Sequence, residues 1–165
     1  MSLPTMRLQT ISDNSGRFPI RDYQFALAYS NTAGVVLDWF RRELGAGLGF
    51  EELNAAAAAV PIGSRGITMI PHFDGRVSPA PDAAIRGAFH NLTLQHTRAD
   101  LYRSILEALS FSLRENVEFL RRCGLLFDTI RSIGGGAKSA LWLQMKADVT
   151  GLPVEKPAVA EASTL

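Results

Sequence analysis

The run Thr129-Ile130-Arg131-Ser132-Ile133-Gly134-Gly135-Gly136-Ala137-Lys138-Ser139 decides how this chain is read. A β-branched stretch meets three glycines, then small and polar residues that open an apolar helix closed by Gly151, so the segment predicts strand, tight turn and helix. Glycines at such a turn leave backbone N–H groups unpaired with no side chain in the way, and a ligand can approach closely. Three readings of the turn stand side by side: a cradle for phosphate, a flat seat for adenine or ribose, or a tight turn with no ligand. A phosphate loop of the Gly-x4-Gly-Lys-Ser/Thr type is excluded, because Ala137 precedes Lys138-Ser139 and Ser132 stands at the outer glycine.

Downstream, Leu152 to Pro157 reads as a short strand, and Ala160 to Leu165 begins a further helix. Upstream, Thr97-Arg98-Ala99-Asp100 forms a capping box. It opens a helix of about 26 residues, ~39 Å long, that stops at Gly124. Leu101, Ile105, Leu109, Leu113, Val117 and Leu120 recur along it at helical spacing and predict a core-facing stripe. Ile67 to Ile70 reads as a strand, followed by a Gly- and Pro-rich loop through Pro81. Two helices are expected before it, at 33–44 and 50–59. Ser30, Asn31 and Thr32 offer N-caps to the first, and Val36, Leu37, Phe40 and Leu44 share one of its faces. Phe25 to Tyr29 suits a buried strand. Residues 1–22 are read as an irregular lead-in, with Asn14-Ser15-Gly16 as turn chemistry, and 23–165 as one domain. Strand and helix alternate along the domain, which predicts an α/β sheet with helices packed on it.

Composition narrows the classes of function. A chain of 165 residues with 47% hydrophobic content can bury one core. A net charge of +1 gives no long-range field to draw in nucleic acid or an anionic membrane. Cys123 stands alone, so no intramolecular disulfide forms, and His72, His90 and His96 without a cysteine partner do not spell a metal site. The longest apolar run, Ala55 to Val60, falls far short of the ~20 residues of a membrane span. A soluble, cytoplasmic protein is expected.

From Gly87 onward the residues resemble the FGGY carbohydrate kinases. Gly87-Ala88-Phe89-His90-Asn91-Leu92 followed by Asp100-Leu101-Tyr102-Arg103-Ser104-Ile105-Leu106-Glu107 is similar to the second signature of that family, with Asn91 where glycine is expected. Ile133 to Ser139, then Trp142, Gln144, Ala147-Asp148 and Gly151-Leu152-Pro153-Val154, resembles its adenosine motif and the helix and strand after it. Ala33-Gly34 with Trp39 is similar to the helix start that approaches the ATP phosphates, while Arg76-Val77 replaces the usual Gly-Glu-Arg continuation of the loop after Pro71.

The resemblance implies the second of two actin-like, ribonuclease-H-like ATPase domains, truncated at both ends, with ATP or ADP in the cleft between domains. It implies an ATP-dependent kinase that moves the γ-phosphoryl of MgATP to a sugar or polyol hydroxyl. Gly135, Gly136 and Ala137 would contact adenosine, a side chain at Gly136 standing where the nucleotide lies. Gly34 would donate its N–H to a phosphate oxygen. Asp38 and Ala140 fall where glycerol kinases present amide side chains to the nucleotide. No Asp-x-Gly-Thr occurs in the sequence. The catalytic base, the Mg²⁺ ligands and most sugar contacts are therefore expected in the other domain, and no catalytic or metal residue is assigned here. Lys138 is read as solvated, Trp39 and Trp142 as core anchors, and a homo-oligomer is allowed. A rival reading is a non-catalytic nucleotide-binding or assembly module of the actin-like ATPase superfamily.

Overall fold

The structure, a computed structural model, describes residues 15–17 and 24–158. Four helices dominate it: α1 (Ala33–Leu44), α2 (Phe50–Ala58), α3 (Arg98–Arg122) and α4 (Ala140–Thr150). Six short strands accompany them: β1 (Ser15–Arg17), β2 (Gln24–Ala26), β3 (Thr68–Ile70), β4 (Ala88–His90), β5 (Ile130–Arg131) and β6 (Val154–Glu155).

α3 is the spine, and its sequence explains why. Thr97 and Asp100 close the expected capping box: the Thr97 amide and hydroxyl both donate to Asp100 Oδ2, at 2.7 and 2.6 Å. Tyr102, Ile105, Leu106 and Leu109 are buried against Val36, Leu37 and Phe40 of α1, Leu53 and Ala57 of α2, and Trp142 and Met145 of α4. Three arginines of the same helix then donate to carbonyls at the C-terminal ends of the other helices. Arg98 donates to Leu44 O at 2.6 Å, Arg103 to Ala57 O at 3.1 Å and Arg114 to Val149 O at 3.1 Å.

The strands differ from the expectation. Among the described residues they form three separate pairs: β1 with β2 and β3 with β4, both antiparallel, and β5 with β6, parallel. Ser15 and Gly16, read as turn residues in an irregular lead-in, are paired in β1. The strand expected over Phe25 to Tyr29 is limited to Gln24–Ala26, and Ala88–His90 adds a strand that the sequence did not suggest. The parallel pair frames α4, so Ile130 to Glu155 is one strand–helix–strand unit. The helix expected over 160–165 lies outside the described residues.

Between α2 and β3 the backbone runs left-handed through Gly63, Ser64, Arg65 and Gly66, with φ of 84°, 48°, 53° and 94°. For Ser64 and Arg65 that conformation costs roughly 1–2 kcal/mol each. α3 holds it in place. Glu107 accepts from the Gly63 amide at 3.0 Å, from Ser64 Oγ at 2.8 Å and from Arg103 Nε at 2.8 Å.

Candidate functional site

The glycine turn is built as a platform. β5 delivers the chain to Gly134, whose φ of 70° and ψ of −157° are open to glycine and strained for any residue with a Cβ. A single 3-10 turn over Gly135–Ala137 follows, closed by Ala137 N to Gly134 O and Lys138 N to Gly135 O, both 3.1 Å. Ser139 then caps α4, its Oγ accepting from the Trp142 amide at 3.2 Å. The same hydroxyl donates to Asn54 Oδ1 of α2 at 2.9 Å and ties the turn to the facing helix.

Opposite the turn stands the start of α1. Thr32 is at its N-cap position, but its hydroxyl donates to Pro71 O at 2.7 Å and no side chain caps the helix. The first amides of α1, including that of Gly34, therefore keep the partial positive charge of a helix N-terminus with no acceptor among the described residues.

These pieces surround one cleft of about 900 Å³. Gly34, Leu37 and Asp38 of α1 form one wall, Phe50, Glu51 and Asn54 of α2 another, and Gly135, Gly136 and Lys138 to Trp142 a third. Tyr102 and Leu106 of α3 make the floor. Burial pushes the Tyr102 phenol up to about 12, so it stays a neutral, largely apolar surface. Asp38 is paired with Arg41 at 2.8 Å, and that hydrogen bond holds its carboxyl below the usual range. It is an ionised acceptor on the rim.

Of the residues singled out in the sequence, Gly34, Asp38, Gly135 and Gly136 line this cleft together. Ala137 does not, because the turn directs it inward, where it is 4% exposed. Gly136 differs from the other glycines of the cleft. A Cβ at Gly34 or Gly135 would meet nothing within 4 Å, but one at Gly136 would lie 2.8 Å from the Trp142 ring. The lack of a side chain at Gly136 is thus a packing requirement of Trp142, whatever else it serves. Trp142 is a core anchor as expected and is also part of the cleft wall.

The α2 wall and the α3 floor went unread in the sequence. The one available signal was Asn54, a polar residue at the edge of the alanine run. Among the described residues no group of three or more His, Cys, Asp or Glu side chains could hold a metal ion, and no helix is long and apolar enough to cross a membrane.

The sequence pattern described as the FGGY family of carbohydrate kinases, C-terminal domain, matches residues 18–165. The xylulose kinase of Staphylococcus epidermidis is 36% identical over 137 residues, covering 83% of this chain and 28% of that protein. The glycerol kinase of Solidesulfovibrio magneticus is 34% identical over 134 residues, or 81% of this chain and 27% of that protein. The crystal structure of ligand-bound xylulose kinase from Lactobacillus acidophilus has a TM-score of 0.79 at 26% identity, covering 93% of this chain and 31% of that one. The chain spans less than a third of the length of each. With likeness at this level, the α/β fold is of the actin-like, ribonuclease-H-like ATPase class.

Proposed function

The chain belongs to the FGGY family of carbohydrate kinases, as a C-terminal domain, and from that membership we propose that it forms the adenosine-binding side of an ATP-dependent sugar or polyol kinase. The observation that carries this reading is the meeting of Gly34, Asp38, Gly135 and Gly136 on one cleft, from segments about a hundred residues apart.

The residues present fit a nucleotide. At Gly135 the space that a Cβ would point into is open, so a flat base or ribose can lie on the backbone there. The uncapped N-terminus of α1 at Gly34 offers amide donors to a phosphate oxygen. Asp38 supplies acceptor oxygens and no donor, chemistry suited to a ribose hydroxyl and unsuited to phosphate. Leu37, Leu106 and Trp142 exclude water from the inner end. When bound, MgATP supplies the phosphoryl group that passes to the acceptor hydroxyl.

Phosphoryl transfer depends mainly on positioning and on neutralising charge around the phosphates. This chain contributes the positioning. We assign the Mg²⁺ ligands, the general base and the sugar contacts to the kinase's other domain, and turnover in cytoplasm to the two domains acting together.

Calorimetric titration of the chain with MgADP tests the reading. The wild-type chain should bind, and Gly135→Val should weaken binding at least about tenfold, a loss of 1.4 kcal/mol or more, with little change in melting temperature because its Cβ meets no neighbour. Equal affinity in the two proteins would remove the glycine turn from the site.

A further inference from the structure

Behind the glycine turn lies a lysine that the proposed function leaves unused. Lys146 is 9% exposed. Its Nζ sits 4.1 Å from the centroid of the Trp142 ring, one helical turn earlier on the same face of α4. It donates to Ser132 Oγ, beside β5, at 3.0 Å, and it lies 3.4 Å from where a Cβ of Gly136 would stand. The ammonium therefore touches the end of β5, the glycine turn and α4 at once. Among the described residues it makes no salt bridge, and burying an unpaired charge carries a desolvation penalty that an apolar residue would not. A domain built for stability alone would place methionine or leucine here. Trp142, for its part, is not pinned by its polar end, because Nε1 is buried with no hydrogen-bond acceptor among the described residues. Packing and the cation over its face are what fix the ring.

We propose that Lys146 is a positioning residue of the nucleotide cleft: its ammonium, bridged to Ser132 and stacked on the indole, holds Trp142 against Gly136 and so sets the shape of the wall on which adenosine rests. This inference rests on the nucleotide reading of the cleft. The ammonium acts through the ring and not on the phosphates, so adenosine and ADP should feel its loss alike. A cation–π contact strengthens when it is desolvated, and here it holds the ring in one orientation.

The test uses the chain in a Trp39→Phe background, so that Trp142 is the remaining tryptophan, with adenosine and MgADP titrated separately. Lys146→Met keeps the length of the stem and removes the charge. It should melt at or above the temperature of its parent, bind both ligands about tenfold more weakly and show altered Trp142 emission without ligand. Lys146→Arg, which returns a cation to the ring, should recover most of the affinity. Unchanged affinity and emission in Lys146→Met would overturn the proposal while the nucleotide reading stands. So would a loss confined to MgADP, or a loss that merely follows a lowered melting temperature. Should the parent bind neither ligand, the nucleotide reading falls and the proposal with it, an outcome distinct from binding that is equal in parent and variant.

Discussion

Lys146 enters a site where burial pushes its pKa from the model-peptide 10.5 down to about 8. The charged groups on the elements around it have partners of their own. Arg114 of α3 pairs with Glu118, Arg131 of β5 with Glu155 of β6, and Asp148 of α4 accepts from Gln144, while Lys138 faces the cleft. Between pH 8 and 10.5 the unfolded chain holds a proton that the folded chain has released, so stability rises with pH across that window. Below pH 8 both states are protonated and the penalty stands in full, at about 3 kcal/mol for a shift of this size. Urea unfolding at intervals from pH 7 to 10.5 should therefore find Lys146→Met more stable than wild type at pH 7, the gap closing toward pH 10.5. A gap that does not vary with pH would mean that the ammonium is well solvated. Little of this was legible in the sequence. The glycines announced a place of close approach because only they permit it, but a lysine at this position reads as a solvated helix residue until Trp142 is seen beneath it. Gly136 was legible as a position that excludes a side chain; that Trp142 is what excludes it was not.

α3 was the most legible element, since its capping box and apolar spacing are local properties of the chain. Its burial exceeds the predicted stripe, however. Ile105, Leu109 and Val117 are buried as expected, Leu101, Leu113 and Leu120 only partly, and Tyr102, Arg103, Ser104, Leu106 and Ser110 are buried as well, because the other helices pack around its first half. Glu107, which a sequence reading can easily pair with Asp100, serves instead as the clamp on the left-handed run at 63–66. The run itself went unread in the sequence. Gly63 and Gly66 suggest it, but Ser64 and Arg65 adopt it only because α3 and neighbouring loops hold them. Glu107→Ala would leave Ser64 Oγ without its acceptor and the buried Arg103 guanidinium without its carboxylate, with only Ala57 O still accepting from it. The expected loss is about 3 kcal/mol, the range for breaking a buried charged pair, read as a lower urea midpoint at unchanged slope. A loss below about 0.5 kcal/mol, the level of an exposed pair, would show that the turn holds itself.

For the molecule as a whole, alternation of strand and helix announced the α/β class, while the strand pairings depended on contacts that no local pattern carries. Among the described residues no strand pair gains a third strand, and Ile62, Leu94 and Leu126 stand almost wholly in solvent. Ile62 and Leu94 flank loops that Asn91 and His96 tie together. Open edges and exposed apolar residues favour association, so light scattering on the 17.9 kDa chain should give a mass that rises with concentration; a constant monomer mass would count against it. The bond between Asn54 and Ser139 spans 85 positions of sequence. Closing so long a loop is entropically unfavourable, and contacts of that separation form late in folding. Each wall can form early from local contacts, but the cleft exists only after the last long-range contact closes. A nascent or partly folded chain thus has no weakened version of the site, and affinity for a nucleotide should appear in one step at the end of folding, where it reports completed assembly.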